Sequence, residues 1–122
     1  MTDGDTIRFP DIVIGKSLGA AARNYDILLP NGEVTQFTEG TRISNVEVTH
    51  GKGRRNKINV IDKLVDKYGG SPEEWQKVKG IGHVDFKGES YKAEIHWYQE
   101  ENVGKVDWKV KPDTGGNWFR DD

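Results

Sequence analysis

The chain has 122 residues, no Cys, and 18 Lys and Arg against 20 Asp and Glu, for a net charge of −2. This length fits a single domain with one modest core, so residues 1–122 are expected to form one domain, with residues 1–30 as an N-terminal extension. The lack of Cys excludes disulfides, thiol catalysis and Cys-ligated zinc, and no apolar run reaches the ~18 residues of a membrane span. The acidic start leads into no long apolar stretch, so we expect no signal peptide.

The N-terminal half predicts short elements and one hairpin. Residues 17–23 have the composition of a short helical turn. Asn31-Gly32 lies between apolar runs at residues 25–29 and 34–37, which is the strongest short signal for a β-hairpin. Apolar residues between positions 43 and 48 predict one further strand, which ends before a basic loop.

The middle of the chain predicts two helices. Apolar residues recur at helical spacing from Ile58 to Tyr68, and charged residues fill the positions between them. Asn56 fits an N-cap and Gly69-Gly70 a stop signal. Ser71-Pro72-Glu73-Glu74 has the cap, the proline and the acids of a second helix start, for a helix about one turn long.

The C-terminal half predicts a three-stranded antiparallel meander over residues 76–86, 91–99 and 105–111. Apolar and polar residues alternate, which places one face of the sheet in a core and the other in water. The apolar face is formed by Val78, Val84, Phe86, Tyr91, Ala93, Ile95, Trp97, Val106, Trp108 and Val110. We expect the helix at residues 58–68 to cover this apolar face, which gives an α+β fold.

The polar face of the meander collects the side chains that metal-free phosphodiester cleavage requires. It carries two imidazoles, a carboxylate and several ammonium groups, from Lys77, Lys79, His83, Lys92, Glu94, His96, Lys109 and Lys111. In this chemistry a base removes the ribose 2′-proton, an acid protonates the leaving 5′-oxygen, and cations stabilise the phosphorane. Histidine titrates nearest neutral pH, and an adjacent Glu orients the imidazole and favours its protonated form. The alternative is an ordinary charged sheet face.

Two further features bear on ligands. The loop His50-Gly51-Lys52-Gly53-Arg54-Arg55-Asn56-Lys57 has four cations and no acid, which fits either a phosphate site beside a helix N-terminus or a solvated loop. Tyr98, on the polar face, is the best candidate for stacking on a base. Gly15-Lys16-Ser17 lacks the earlier glycine of a Walker A loop, and the histidines lack zinc spacing, so we expect no nucleotide, metal or cofactor site.

Several segments, taken in this order along the chain, resemble a known family. They are Gly51-Lys52-Gly53, Lys67-Tyr68-Gly69-Gly70, Trp75-Gln76-Lys77-Val78-Lys79-Gly80, Lys92-Ala93-Glu94-Ile95-His96-Trp97-Tyr98 and Gly104-Lys105-Val106-Asp107-Trp108-Lys109-Val110-Lys111. Together they resemble C-terminal domains of phage head-morphogenesis proteins and bacterial polymorphic toxins, which belong to the barnase, EndoU, colicin and RelE group of small ribonucleases. The resemblance covers residues 34–119.

The resemblance implies one or two helices packed on a curved antiparallel sheet whose open face holds RNA, the BECR-like ribonuclease fold. It implies a site of Lys52, Lys79, Lys92, Glu94 and His96. Many such toxins are strongly basic, whereas this chain has a pI of 5.9. That difference favours a selective substrate such as tRNA over tight non-specific RNA binding.

We therefore predict a metal-independent endoribonuclease toxin domain that leaves a 2′,3′-cyclic phosphate. His96 would act as general acid or base, and Glu94 as its orienter or as the second proton carrier. Lys79 and Lys92 would stabilise the phosphorane, and Lys52, which the resemblance places in the site, would hold a flanking phosphate. RNA would be held by Arg54, Arg55, Lys57, Lys77, His83, Tyr98, Lys109 and Lys111.

The expected partners are RNA and, for a toxin, a cognate immunity protein that covers the basic face. We expect a monomer that acts in the bacterial cytoplasm, after delivery into a target cell if it is a toxin. The alternative is a non-catalytic protein-interaction module of a phage head or a toxin system, which the near-neutral charge favours equally.

Overall fold

A computed structural model describes residues 25–111, together with the backbone of two short strands, β1 (Ile7–Arg8) and β2 (Ile12–Val13). The helical turn predicted at residues 17–23 and the Walker-like residues 15–17 lie outside the described residues. Within the described residues, no helix combines the length and the apolar composition that a membrane crossing requires.

The described elements confirm the α+β class. They are β3 (Ile27–Leu28), β4 (Val34–Thr35), β5 (Arg42–Gly51), α1 (Ile61–Tyr68), a 3-10 helix (Pro72–Glu74), β6 (Gln76–Phe86), β7 (Glu89–Glu100) and β8 (Gly104–Val110). The hairpin at Asn31-Gly32 is confirmed, because β3 and β4 pair antiparallel around that turn. Gly32 has a φ of 92°, a conformation that only glycine adopts without strain.

The meander is confirmed, but the sheet that contains it is mixed. β5, β6, β7 and β8 are neighbours in that order and pair antiparallel. β3 then pairs with β8 in parallel, through Ile27 opposite Trp108. The prediction of a purely antiparallel sheet is therefore wrong at this edge, because β3 approaches from a distant part of the chain rather than through a hairpin.

The sheet closes on itself around the main core. Beyond β4, Phe37 bridges to Val84 of β6, and the Thr38 amide donates to the His83 carbonyl at 3.0 Å. The pairings β6–β7–β8–β3–β4 thus return to β6, so the β3–β4 hairpin crosses over the apolar face. The side chains enclosed there are Ile27, Leu29, Phe37, Ile43, Val46, Val48, Val78, Val84, Ala93, Ile95, Trp97, Trp108 and Val110.

The helix lies on the other face of the sheet, contrary to prediction. α1 packs against Trp75 and Ile58, with Tyr98 and Val106 of the sheet at the edge of this second cluster. Tyr98 alternates with the core residue Trp97 along β7, so its side chain leaves the sheet on the opposite side. The hairpin already covers the apolar face, which leaves α1 to cover one end of the polar face.

Two local predictions are wrong, one on the start of α1 and one on the face of Val106 in β8. The helix begins at Ile61 after Val60, without a side-chain cap, so Asn56 is not its N-cap. Gly69 does end it, with its amide donating to the Val65 carbonyl at 2.8 Å. In β8, a bulge at Asp107 (φ 57°) turns the preceding residue, Val106, toward α1 rather than toward the main core.

Candidate functional site

One row of charged side chains crosses the open part of the polar face. In the strand register, Glu47 of β5 lies opposite Lys79 of β6, Lys79 opposite His96 of β7, and His96 opposite Lys109 of β8. Residues directly opposite each other in antiparallel strands project to the same side. The four side chains therefore share one surface.

His96 and Glu94 form a short polar contact on this surface. His96 Nε2 lies 2.7 Å from Glu94 Oε2, and the two side chains are 17% and 31% exposed. Burial lowers the pKa of His96 below its usual value of 6.5, the hydrogen bond and charge of Glu94 oppose that shift, and Lys77 and Lys111 add to it. Burial thus favours the neutral form of the imidazole, whereas Glu94 favours its charged form.

Lys79 and Glu47 form the second pair. Lys79 Nζ lies 3.6 Å from Glu47 Oε1, with side-chain exposures of 37% and 24%. Both line a shallow pocket of about 370 Å³ whose opposite wall includes Glu94. The Lys79 ammonium therefore projects into a depression that has a carboxylate on each side.

Glu47 belongs to this surface and was missed by the sequence prediction. Val46 and Val48 are both buried, so alternation alone places the residue between them on the polar face. The sequence analysis predicted a strand here but did not assign its residues to faces, because the spacing of Ile43 and Val46 breaks the period of two. A bulge between Ser44 and Glu47 explains that break.

Two other predicted cations, Lys77 and Lys111, flank the row, and Lys109 forms its end on β8. Lys77 lies opposite Tyr98, one position along the polar face from the row. Lys109 lies opposite His96. The amide of Lys111 donates to the carbonyl of Glu94 at 2.9 Å, which holds the C-terminal end of β8 beside the site.

Lys92 and His83 lie on the same face but at its far end. They are opposite each other in the register, and both are exposed. Lys92 is four residues from His96 along β7, about 13 Å in an extended strand. The structure therefore separates these two predicted site residues from the His96 row.

Lys52 lies outside the row as well. Its Nζ is 2.5 Å from Glu74 Oε1, and this contact raises the pKa of the exposed ammonium. Arg54, Arg55 and Lys57 line a separate pocket of about 530 Å³ between the basic loop and the 3-10 helix. The basic loop is thus a second cationic region and not a wall of the His96 site.

The position of Tyr98 differs from the prediction of an open stacking platform. Its ring is half-buried and packs at the edge of the α1 cluster, and this burial raises the pKa of the phenol.

Among residues 25–111 and the two N-terminal strands, no group of three or more His, Asp and Glu side chains is arranged to hold a metal ion.

Comparisons of the chain with protein-family models, with curated proteins and with solved structures found no match. The resemblance to small ribonucleases therefore stays a prediction.

Proposed function

We propose that the protein is a metal-independent endoribonuclease that cleaves RNA by attack of the 2′-hydroxyl, leaving a 2′,3′-cyclic phosphate. The observation that carries the proposal is the row Glu47–Lys79–His96, in which an ammonium group lies between a carboxylate and an imidazole. Neighbouring strands are about 5 Å apart, so the strand positions of Glu47 and His96 are about 10 Å apart. Side chains from those positions can reach both sides of one phosphate.

The contact between His96 and Glu94 limits their roles. Attacking and leaving oxygens lie on opposite sides of phosphorus in an in-line displacement. Two groups joined by a 2.7 Å hydrogen bond occupy one side and cannot serve both oxygens. Glu94 is therefore a positioning residue for His96, and the second proton carrier comes from elsewhere on the face.

Glu47 fits that second role. A carboxylate is the base that removes the 2′-proton, and protonated His96 is the acid that delivers a proton to the 5′-oxygen. Lys79, between them, stabilises the charge that develops on the phosphorane. Because burial lowers the pKa of His96 below its usual value, the protonated fraction of this acid grows as the pH falls, so cleavage should be faster at mildly acidic pH than at neutral pH.

The surrounding cations fit a bound RNA strand. Lys109, at the end of the row, and Lys77 and Lys111, beside it, would hold phosphates next to the scissile one. Arg54 and Arg55, in the separate basic loop, would bind phosphates further along the strand. The modest overall charge favours a structured substrate such as tRNA, and the resemblance favours a toxin with an immunity partner.

The test is incubation of the purified full-length chain with total RNA and with tRNA in EDTA. Wild type should yield fragments that end in a 2′,3′-cyclic phosphate, and His96→Ala and Glu47→Gln should yield none. Lys63→Met, on the exposed side of α1, is the matched control and should cleave as wild type does. Absence of cleavage by wild type across several RNA pools at pH 5 to 7 would refute the proposal.

A non-catalytic interaction module is the second candidate. It is favoured by the pairing of the site charges with each other, Lys79 with Glu47 and His96 with Glu94, as on an ordinary sheet surface. Induced expression in bacteria separates the candidates. Toxicity that His96→Ala relieves supports the nuclease, and harmless expression of wild type supports the module.

A further inference from the structure

The basic loop and the 3-10 helix enclose a pocket of about 530 Å³, the loop pocket, which is separate from the charged row. Four cations and one carboxylate line it, from Lys52, Arg54, Arg55, Lys57 and Glu73. The Lys52 ammonium is already paired with Glu74, at 2.5 Å. Three cations then remain against one acid, so the loop pocket has a surplus of two positive charges.

Arg54, Arg55 and Lys57 have no acidic partner within residues 25–111, because the ion pairs described there involve other cations. In addition, Nη1 of Arg54 is buried and has no hydrogen-bond partner in that part of the chain. A buried guanidinium N–H without an acceptor costs free energy. Since Arg54 lines the loop pocket, an anion bound there would supply an acceptor to its guanidinium.

Backbone hydrogen bonds hold the basic loop closed before any ligand binds. The Gly51 amide donates to the Asn56 carbonyl at 2.8 Å, and the Arg54 amide donates to the Gly51 carbonyl at 2.9 Å. The Lys52 amide donates to the Trp75 carbonyl at 3.0 Å, which fixes the loop to the residue before β6. Little backbone entropy is therefore lost when an anion binds to this loop.

The loop pocket also has apolar surface. Ile58, Ile61 and Pro72 line it, and of these Ile58 is 6% exposed and Pro72 is exposed. A small inorganic anion makes no use of such surface, whereas an organic group attached to the anion can pack against it. A ligand that fits the loop pocket therefore combines a charged group with an apolar one.

We infer that the loop pocket binds a phosphomonoester, with its phosphate at Arg54 and Arg55 and its organic group against Ile61 and Pro72. A phosphomonoester carries a charge of about −1.5 to −2 at pH 7, which matches the surplus, and it has three oxygens that guanidinium groups bind in pairs. An internal phosphate of RNA carries only one charge. The inference thus goes beyond the proposed function, in which these arginines would bind internal phosphates of RNA.

The experiment measures the affinity of the full-length chain for three probes by isothermal titration calorimetry. Phenyl phosphate is the monoester, methyl phenyl phosphate is the diester with a single charge, and inorganic phosphate lacks the organic group. Phenyl phosphate should bind about tenfold more tightly than the diester, because the diester loses a charged hydrogen bond. It should also bind about tenfold more tightly than inorganic phosphate, because its ring is removed from water.

Three variants assign this binding to the loop pocket. Arg54→Gln and Arg55→Gln should each weaken phenyl phosphate about tenfold. Lys63→Gln removes an equal charge from the exposed side of α1, outside the loop pocket, and should leave the affinity unchanged. Because Arg55 is exposed, Arg55→Gln tests the inference even if the loss of the partly buried Arg54 affects folding.

The monoester belongs either to a small molecule or to the end of a nucleic-acid strand, and a fourth titration distinguishes these sources. It compares an oligodeoxyribonucleotide that carries a 5′-phosphate with the same strand that ends in a 5′-hydroxyl. A preference for the phosphorylated strand that Arg54→Gln removes supports the loop pocket as a site for strand ends. Equal binding of the two strands, with phenyl phosphate still bound, supports it as a site for small phosphomonoesters.

Three results would overturn the inference: no binding of phenyl phosphate, equal affinity for the diester, or an equal loss of affinity in Lys63→Gln. None of these results depends on cleavage. If phenyl phosphate binds through Arg55 but no RNA is cut, the nuclease proposal fails and the phosphomonoester site stands. If RNA is cut and phenyl phosphate does not bind, the phosphomonoester site fails and the nuclease stands.

Discussion

Removal of the Lys79 ammonium should abolish most of the activity while it leaves the fold nearly intact. In the free protein the group is 37% exposed and 3.6 Å from Glu47, and an ion pair of this kind contributes at most about 1 kcal/mol to stability. In the transition state of the proposed reaction, the same ammonium would face the charge that develops on the phosphorane. Loss of one such group costs about 3 to 4 kcal/mol of barrier, or about 100- to 1,000-fold in kcat.

The assay compares Lys79→Met with Lys63→Met, which removes an equal charge from the exposed side of α1. Single-turnover cleavage of a labelled RNA gives the rate, and thermal melting gives the stability. Lys79→Met should lose at least 100-fold in rate and at most about 4 °C in Tm. A rate loss below threefold, or a loss in rate that the control shares, would refute the assignment of Lys79 to the transition state.

Three further predictions use the same structure. Glu94→Gln removes the group that raises the pKa of His96, so the decrease of kcat with rising pH should begin at a lower pH than in wild type. Lys77→Gln removes a group that lowers the pKa of His96, so the same decrease should begin at a higher pH. Hydrogen bonds from backbone amides lower the pKa of Glu100 below its usual value of 4.5. The ionised carboxylate therefore stabilises the folded state above that pH, and this stabilisation is lost as the pH falls. Glu100→Gln should therefore be less stable than wild type in urea at pH 7, with a smaller difference at pH 3. Leu64→Ala should lower the free energy of unfolding by about 2 to 5 kcal/mol in urea, because Leu64 is 2% exposed in the cluster under α1.

The meander could be predicted because its pattern is local. Strand β7 alternates without interruption from Lys92 to Tyr98, with Ala93, Ile95 and Trp97 buried and the polar residues between them partly exposed. The period of two fixes which side chains share a face, whatever the partner strands are. The contact of His96 with Glu94 follows from this, since residues two apart on a strand are neighbours on one face.

The closure of the sheet could not be predicted, because it depends on contacts between distant parts of the chain. In the parallel pairing of β3 with β8, Ile27 lies opposite Trp108, and no local sequence pattern indicates that these two strands are neighbours. Once the hairpin covers the apolar face, α1 has only the polar face left to cover. The bulges at Asn45 and Asp107 also could not be predicted from the pattern. Each adds one residue to its strand, and the side chains that precede the bulge then lie on the opposite face of the sheet.

Burial is what distinguishes His96 from an ordinary surface histidine, because its side chain is 17% exposed and its pKa is lowered. His83 lies on the same face, four residues from Lys79 along β6, and it is exposed. At the other end, Tyr98 is packed at the edge of the α1 cluster, and His96 is its next neighbour on the face. His96 therefore lies at the border of the helix-covered region, buried enough to lose solvation and open enough to meet a ligand.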